Sequence, residues 1–262
     1  MDVVEKIHNS ALAIVVSDSI NNCITNQISS IPQGRINDFI RDLLDKLIKN
    51  IEFQYKSNNI NEKVVIDYNL LNKISLEFAN VLVKFNYANK LTKGMGNNYF
   101  NNKDVIYNNM VNNYMDNYNQ IKDIICNIYG LSNNVGLDDK LNAQLALNAA
   151  TTLFQEIYKE NQNEEAFIMN FIDAYQGIYN STKVDGYNTK EYNVLNLNNE
   201  AIEVISAIAT DIYVRNSNVK IDYDVTKNNF INSIKKIVEK EKRDVISLPN
   251  DVLDSESITK GR

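Results

Sequence analysis

Residues 97–120 read NNYFNNKDVIYNNMVNNYMDNYNQ, with Asn at ten of the twenty-four positions. On composition alone this is a low-complexity polar tract, the material of disorder or of self-pairing strands. Its spacing says otherwise. Ile106, Met110, Tyr114, Tyr118, Ile121, Ile125 and Ile128 follow one another at threes and fours, which lays them along one face of a helix that stops at Gly130. The asparagines at 108, 109, 112, 113, 117 and 119 fall mostly on the other faces. Asn costs about half a kcal/mol per residue against Ala in a helix, so this helix depends on packing of its Ile, Met and Tyr stripe. The first seven residues of the stretch read as loop, with Asp104 as the N-cap.

The same period extends outward in both directions. Two prolines and eight glycines in 262 residues leave few breakers, and apolar residues recur at three and four nearly throughout. A first helix opens after Asp2 and carries Val3, Val4, Ile7, Leu12, Val15, Val16, Cys23 and Ile24, ending before Pro32 and Gly34. A second sets Phe39, Ile40, Leu43, Leu44, Leu47, Ile48 and Ile51 against Arg41, Asp42, Asp45, Lys46 and Lys49. VVIDY (64–68) is a short extended entry to a third, with Leu70, Leu71, Ile74, Phe78, Val81, Leu82, Phe85 and Leu91 and a left-handed stop at Gly94. A fifth begins near Asp138 or Asp139 with Leu141, Leu145, Ala149 and Leu153, and a sixth holds Phe167, Ile168, Phe171, Ile172, Tyr175 and Ile178. A seventh starts at Asn198 or Asn199 and carries Ile202, Ile205, Ile208 and Ile212; an eighth, capped by Asp224 or Thr226, carries Phe230, Ile234, Ile237 and Val238.

The expected fold is therefore all-α: about eight helices in a bundle or orthogonal array, with an ordered loop near 180–197 and an extended C-terminal tail. Residues 1–243 read as one helical domain with a possible sub-boundary near 94–103, and 244–262, which contain Pro249 and no helical period, as an extended or disordered tail. The one internal echo, VIDYN (65–69) against KIDYD (220–224), decays within a few residues and reads as chance in a restricted alphabet.

Asn, Ile, Lys, Tyr and Phe, all written in A/T-rich codons, are abundant, and Trp is absent. This bias describes a genome, as in many viruses, some bacteria and some protists. A net charge of −6 from interspersed acids and bases offers no domain-wide basic field, which disfavours nucleic acid. The exception is a local basic face at 226–243, six Lys or Arg against two Glu, whose plainer role is a solvated helix face. ALAIVVSDSI (11–20) is too short and too polar in its flanks for a signal peptide or a membrane span, so the expected location is cytoplasm or virion. Cys23 and Cys126 read as free buried thiols.

Chemistry finds little purchase. His8, the single histidine, would have to serve any Ser-His or Cys-His system, and it reads instead as a solvent-facing helical side chain. DYDVTKNNFINS (222–233) opens like a calcium loop at Asp222 and Asp224 but has Lys227 and Ser233 where that loop needs Gly and Glu. Neither glycine-rich phosphate loop is present; the GMG at 94–96 follows a helix. The carboxylate pairs Glu164/Glu165, Asp138/Asp139 and Asp42/Asp45 sit at helix starts or on polar faces, where capping and solvation account for them. Tyr99, Tyr107, Tyr187 and Tyr192, off the main stripes, are contact candidates. No catalytic, cofactor-binding or metal residue is assigned. The expected function is a non-enzymatic structural or assembly protein, a connector- or capsid-associated virion component working through protein–protein contacts in a homo-oligomer or larger assembly, in part through the tail 244–262. The alternative is a helical enzyme or regulatory protein with a dispersed carboxylate or small-molecule site.

Overall fold

Long runs without Pro or Gly become long helices. The computed structural model describes residues 2–26, 35–88, 102–133, 136–157, 163–182 and 197–246. These residues form eight helices and no strand. They fall into two compact units, residues 1–157 and 158–262.

The first unit holds α1 (Val3–Asn26), α2 (Ile36–Ser57), α3 (Tyr68–Ala88), α4 (Lys103–Tyr129) and α5 (Asp139–Ile157). α3 is its axis and packs on α1, α4 and α5, while α2 lies against α1. Of the expected α2 stripe, Ile40, Leu43, Leu44, Leu47 and Ile51 are buried and Phe39 and Ile48 partly so, and Tyr55 extends it by one turn. Asn59 takes the left-handed conformation (φ 56°) just past α2, an αL stop that Asn tolerates better than most residues.

α4 is the helix hidden in the Asn-rich tract. Six of the seven stripe residues, Ile106, Met110, Tyr114, Tyr118, Ile121 and Ile125, are buried, and Ile128 is partly so. The buried face is wider than the stripe, because Tyr107, Val111, Lys122 and Cys126 are buried as well. Tyr107 is therefore core rather than the exposed contact residue its off-stripe position suggested. Asn108, Asn109, Asn112 and Asn119 are exposed. Asn113 and Asn117 turn their amides back onto the carbonyls of Asn109 and Asn113, at 2.7 and 2.6 Å, the local side-chain-to-backbone bond that short polar residues make within a helix. Gly130 ends the helix at φ 66°, as expected. The N-cap is Asn102 rather than Asp104, which lies in the first turn, where a carboxylate still favours the helix dipole.

The second unit holds α6 (Glu164–Ser181), α7 (Asn199–Arg215) and α8 (Tyr223–Ile246), with α8 packed on both others. The expected apolar residues of α6 are buried. Phe167 is the hub: its ring lies 5.1 Å from Tyr213 and 5.9 Å from Phe230, an aromatic cluster joining all three helices. Asn163 and Asn198 cap α6 and α7 through side-chain oxygens. α8 is capped by Asp222, which accepts from Val225 N at 3.1 Å. Asp224 is thus a first-turn residue, and Thr226, instead of capping, is buried and donates to Glu164 Oε1 at 2.8 Å.

The echo between VIDYN and KIDYD has a physical reason. Asp67 accepts from Leu70 N at 2.8 Å as Asp222 accepts from Val225 N, so both copies of Ile-Asp-Tyr are the same N-cap. Gly94 and most of the expected sub-boundary near 94–103 lie outside the described residues, as do most of the loop near 180–197, the Cys23 side chain, Tyr99, Tyr187, Tyr192 and the expected tail from 247 onward, whereas its first three positions, 244–246, are helical and continue α8.

Candidate functional site

Nearly every face of α3 is buried, with Leu70, Leu71, Ile74, Leu76, Phe78, Ala79, Val81 and Val83 all in the core. Its polar residues consequently have no outside to point to. Lys73, Glu77, Asn80 and Lys84 follow at four, three and four, one row on this helix. Two neighbouring helices present matching rows: Glu5, Asn9, Ala13, Ser17 and Asn21 on α1, and Lys140, Gln144, Asn148 and Thr152 on α5.

The rows meet in register. Glu5 Oε1 pairs with Lys73 Nζ at 3.3 Å and with Lys140 Nζ at 3.4 Å, so one carboxylate joins three helices. The two ammonium groups hold the Glu5 carboxyl below its ordinary range. One turn further on each helix stand Asn9, Glu77 and Gln144, and Gln144 Nε2 donates to Glu77 Oε1 at 2.5 Å. The same direction of travel on all three makes α1, α3 and α5 parallel. Beyond this layer α1 and α5 leave a cleft of about 500 Å³, walled by Asn9, Leu12, Ala13, Val16, Ser17 and Asn21 on one side and by Glu77 and Gln144 on the other.

Glu77 is the electrostatic centre of this cleft. Burial pushes its carboxyl above the ordinary value, against the charge of Lys84 and hydrogen bonds from Asn80 and Gln144. Burial also lowers the Lys84 ammonium, which the nearby Glu77 opposes. Each charge is thus held in a desolvated place mainly by the other and by amides. Asn148 Nδ2, next along the α5 row, is buried with no protein partner, as is the Ser75 hydroxyl on α3.

Behind the cleft, α3 is tied to α4 by two buried tyrosines. Tyr114 Oη donates to Asn80 Oδ1 at 2.9 Å and lies 3.1 Å from Thr152 Oγ1, and Tyr118 Oη donates to Asn72 Oδ1 at 2.8 Å. Burial pushes the Tyr118 phenol up to about 12. Lys122, itself buried, places its ammonium 5.4 Å from the centre of the Tyr118 ring.

The residues singled out from the sequence do not assemble at this cleft. His8 is half-buried rather than solvent-facing: its Nε2 is 2.9 Å from Tyr55 Oη and the rings stack at 6.0 Å. Burial lowers its pKa below the ordinary 6.5. Cys126 is a buried free thiol, as expected, and burial raises its pKa. Asp138 caps α5 by accepting from Leu141 N at 2.9 Å, with Asp139 beside it in the first turn. Asp42 and Asp45 are exposed on α2. Glu164 bridges to α8 through Thr226 and Asn229, while Glu165 is exposed. Lys235, Lys236, Lys240, Lys242 and Arg243 line the exposed last turns of α8, with Arg243 3.8 Å from Glu239. Among the described residues no group of three His, Cys, Asp or Glu could hold a metal ion, and no helix is long and apolar enough to cross a membrane.

The row on α3 had a signal in the sequence. In LLNKISLEFANVLVKF (70–85) the apolar residues are too many for one stripe, which marks a helix buried all round. Polar residues at helical spacing within such a helix have to face one another or a cavity. Comparison of the chain with known proteins finds no matching family model, no matching curated protein and no matching solved structure.

Proposed function

We propose that the chain is a non-enzymatic structural or assembly protein that acts through protein–protein contacts. The observation that carries this reading is how the sequence's catalytic candidates are employed. His8 locks onto Tyr55, Asp138 and Asp222 cap helices, and Glu164 ties α6 to α8. Each has a structural duty that accounts for it. Large apolar side chains left in solvent, foremost Phe53 on α2 at 71 % exposure, supply contact material. A virion, connector or capsid-associated setting is the finer form of the proposal, and it rests on the A/T-rich residue bias alone. The test is native mass spectrometry with light scattering over a wide concentration range, on the full chain and on a chain cut after residue 246. A defined oligomer that weakens without the tail supports the proposal. A strict monomer at high concentration overturns it.

A second reading, a regulatory protein with a small-molecule site in residues 1–157, is favoured by the cleft at Glu77 and Gln144. Its volume is in the range of ligand pockets, and it mixes an aliphatic wall with a few convergent polar groups. Ligand-induced stabilisation in a thermal-shift screen of small polar metabolites checks it; no shift with any class would remove its support.

A further inference from the structure

We propose that the cleft between α1, α3 and α5 binds a small aliphatic primary ammonium, its head taken by Glu77 and Gln144 and its chain by Leu12, Ala13 and Val16. The proposal rests on the second reading above, that this cleft takes a small molecule.

The acceptor chemistry selects the head group. A carboxylate offers about four acceptor positions, and Asn80 and Gln144 supply hydrogen bonds to Glu77. About half of its capacity is left for a ligand, on a side chain that forms part of the cleft wall. Gln144 gives its amide N–H to Glu77, which leaves its carbonyl oxygen to accept. Two acceptors side by side suit a ligand rich in N–H donors and repel an anion.

Glu5 pairs with both Lys73 and Lys140 at the end of the rows, which offsets one of their two charges and holds both ammonium groups one turn away from the ligand's head. Lys84 is the remaining positive charge acting on Glu77, and burial weakens its hold on its own proton. A bound ammonium would give Glu77 a second counter-charge beside that of Lys84. On the opposite wall Leu12, Ala13 and Val16 make a short aliphatic surface suited to a few methylenes.

The experiment is an NMR titration of the full-length protein with butylammonium, and separately with 1-butanol and with butyrate, following the side-chain amide of Gln144. Butylammonium should saturate, and the other two should bind at least tenfold more weakly. Glu77→Gln should weaken butylammonium at least tenfold while leaving the circular dichroism spectrum unchanged. Ala13→Phe, which fills the cleft and keeps Glu77, should weaken it similarly. Equal binding of butylammonium and 1-butanol overturns the ammonium assignment, as does full affinity in Glu77→Gln; loss in Ala13→Phe would still uphold a small-molecule cleft. Saturation by none of the three overturns both. Should Glu77→Gln fail to fold, the comparison of the three probes and Ala13→Phe decide.

Discussion

Tyr114 and Asn80 are joined by a hydrogen bond of 2.9 Å with the tyrosine fully buried, one of two such phenol–amide ties between α4 and α3. Tyr114→Phe removes the donor and strands the Asn80 oxygen away from water. The expected loss is about 1–3 kcal/mol, the cost of an unsatisfied buried acceptor. Asn80→Leu should cost less in the Tyr114→Phe background than alone, because the phenol and the amide oxygen are each other's partners, while the Glu77 contact is lost with Asn80 in both backgrounds. Urea unfolding of the two single variants and the double variant measures the coupling, and strict additivity would contradict it.

The Asn-rich helix has an inside and an outside that mutation separates. Met110 and Ile121 are 0 % and 1 % exposed, whereas Asn112 is exposed. Met110→Asp or Ile121→Asp places an unpaired charge in the core and should cost at least about 4 kcal/mol, enough to unfold a domain of ordinary stability. Asn112→Lys should change stability by less than about 0.5 kcal/mol. Circular dichroism melts decide, and neutral core variants would remove α4 as drawn.

Asp67 and Asp222 occupy the same cap in two different units. Replacing either by Ala should cost about 1 kcal/mol. The effect of Asp67→Ala should appear as faster hydrogen exchange at the start of α3, and that of Asp222→Ala at the start of α8. An equal change at both helices in each variant would count against two local caps.

His8 is the single histidine, so its ring gives one clean proton resonance. Burial against Tyr55 lowers its folded pKa, so the unfolded chain takes up its proton at the ordinary 6.5 before the folded one does. The unfolded state therefore binds more protons in that window, and stability falls as pH drops from 6.5 towards the folded midpoint. The ring should titrate below 6.5. A midpoint at or above 6.5 would show that the ring is not desolvated as described.

How much of this was legible follows from which residues carry which signal. The all-α class and the eight helices came through because Gly and Pro are scarce and the apolar spacing is strong; Ile40 to Ile51 in α2 is the clearest case. Helix starts are less exact: the sequence reads Asp104 for α4, and Asp224 or Thr226 for α8, where the cap positions are Asn102 and Asp222. Several side chains that could cap lie close to each start, and sequence does not say that Asp222 turns back onto α8 while Asn102 holds its position with no side-chain cap bond. The cleft is legible only through the excess of apolar residues in 70–85, and apolar spacing alone passes over it. A search for apolar stripes discards Lys73, Glu77, Asn80 and Lys84 as the outer face of α3, and that helix has almost no outer face. His8 was misplaced for a related reason: its partner Tyr55 lies 47 residues away, and only the packing of α1 on α2 brings them together.

The carboxylate of Glu5 sets an order of events during synthesis. Its two partners, Lys73 and Lys140, are 68 and 135 residues further along the chain. A chain made from its N-terminus has the start of α1 in hand while both cations are still missing, and at about 5–20 residues per second the wait lasts several seconds or more. Over that interval the apolar side of α1, with Ile7, Ala11, Leu12 and Val15, can bury itself on α2 and later α3, but its opposite corner has no fastening until α3 brings Lys73, and gains the second only when α5 brings Lys140. α1 is thus made well before it is fully secured, and a nascent chain paused before residue 73 should show an α1 that proteases reach more readily than in a chain paused after α5.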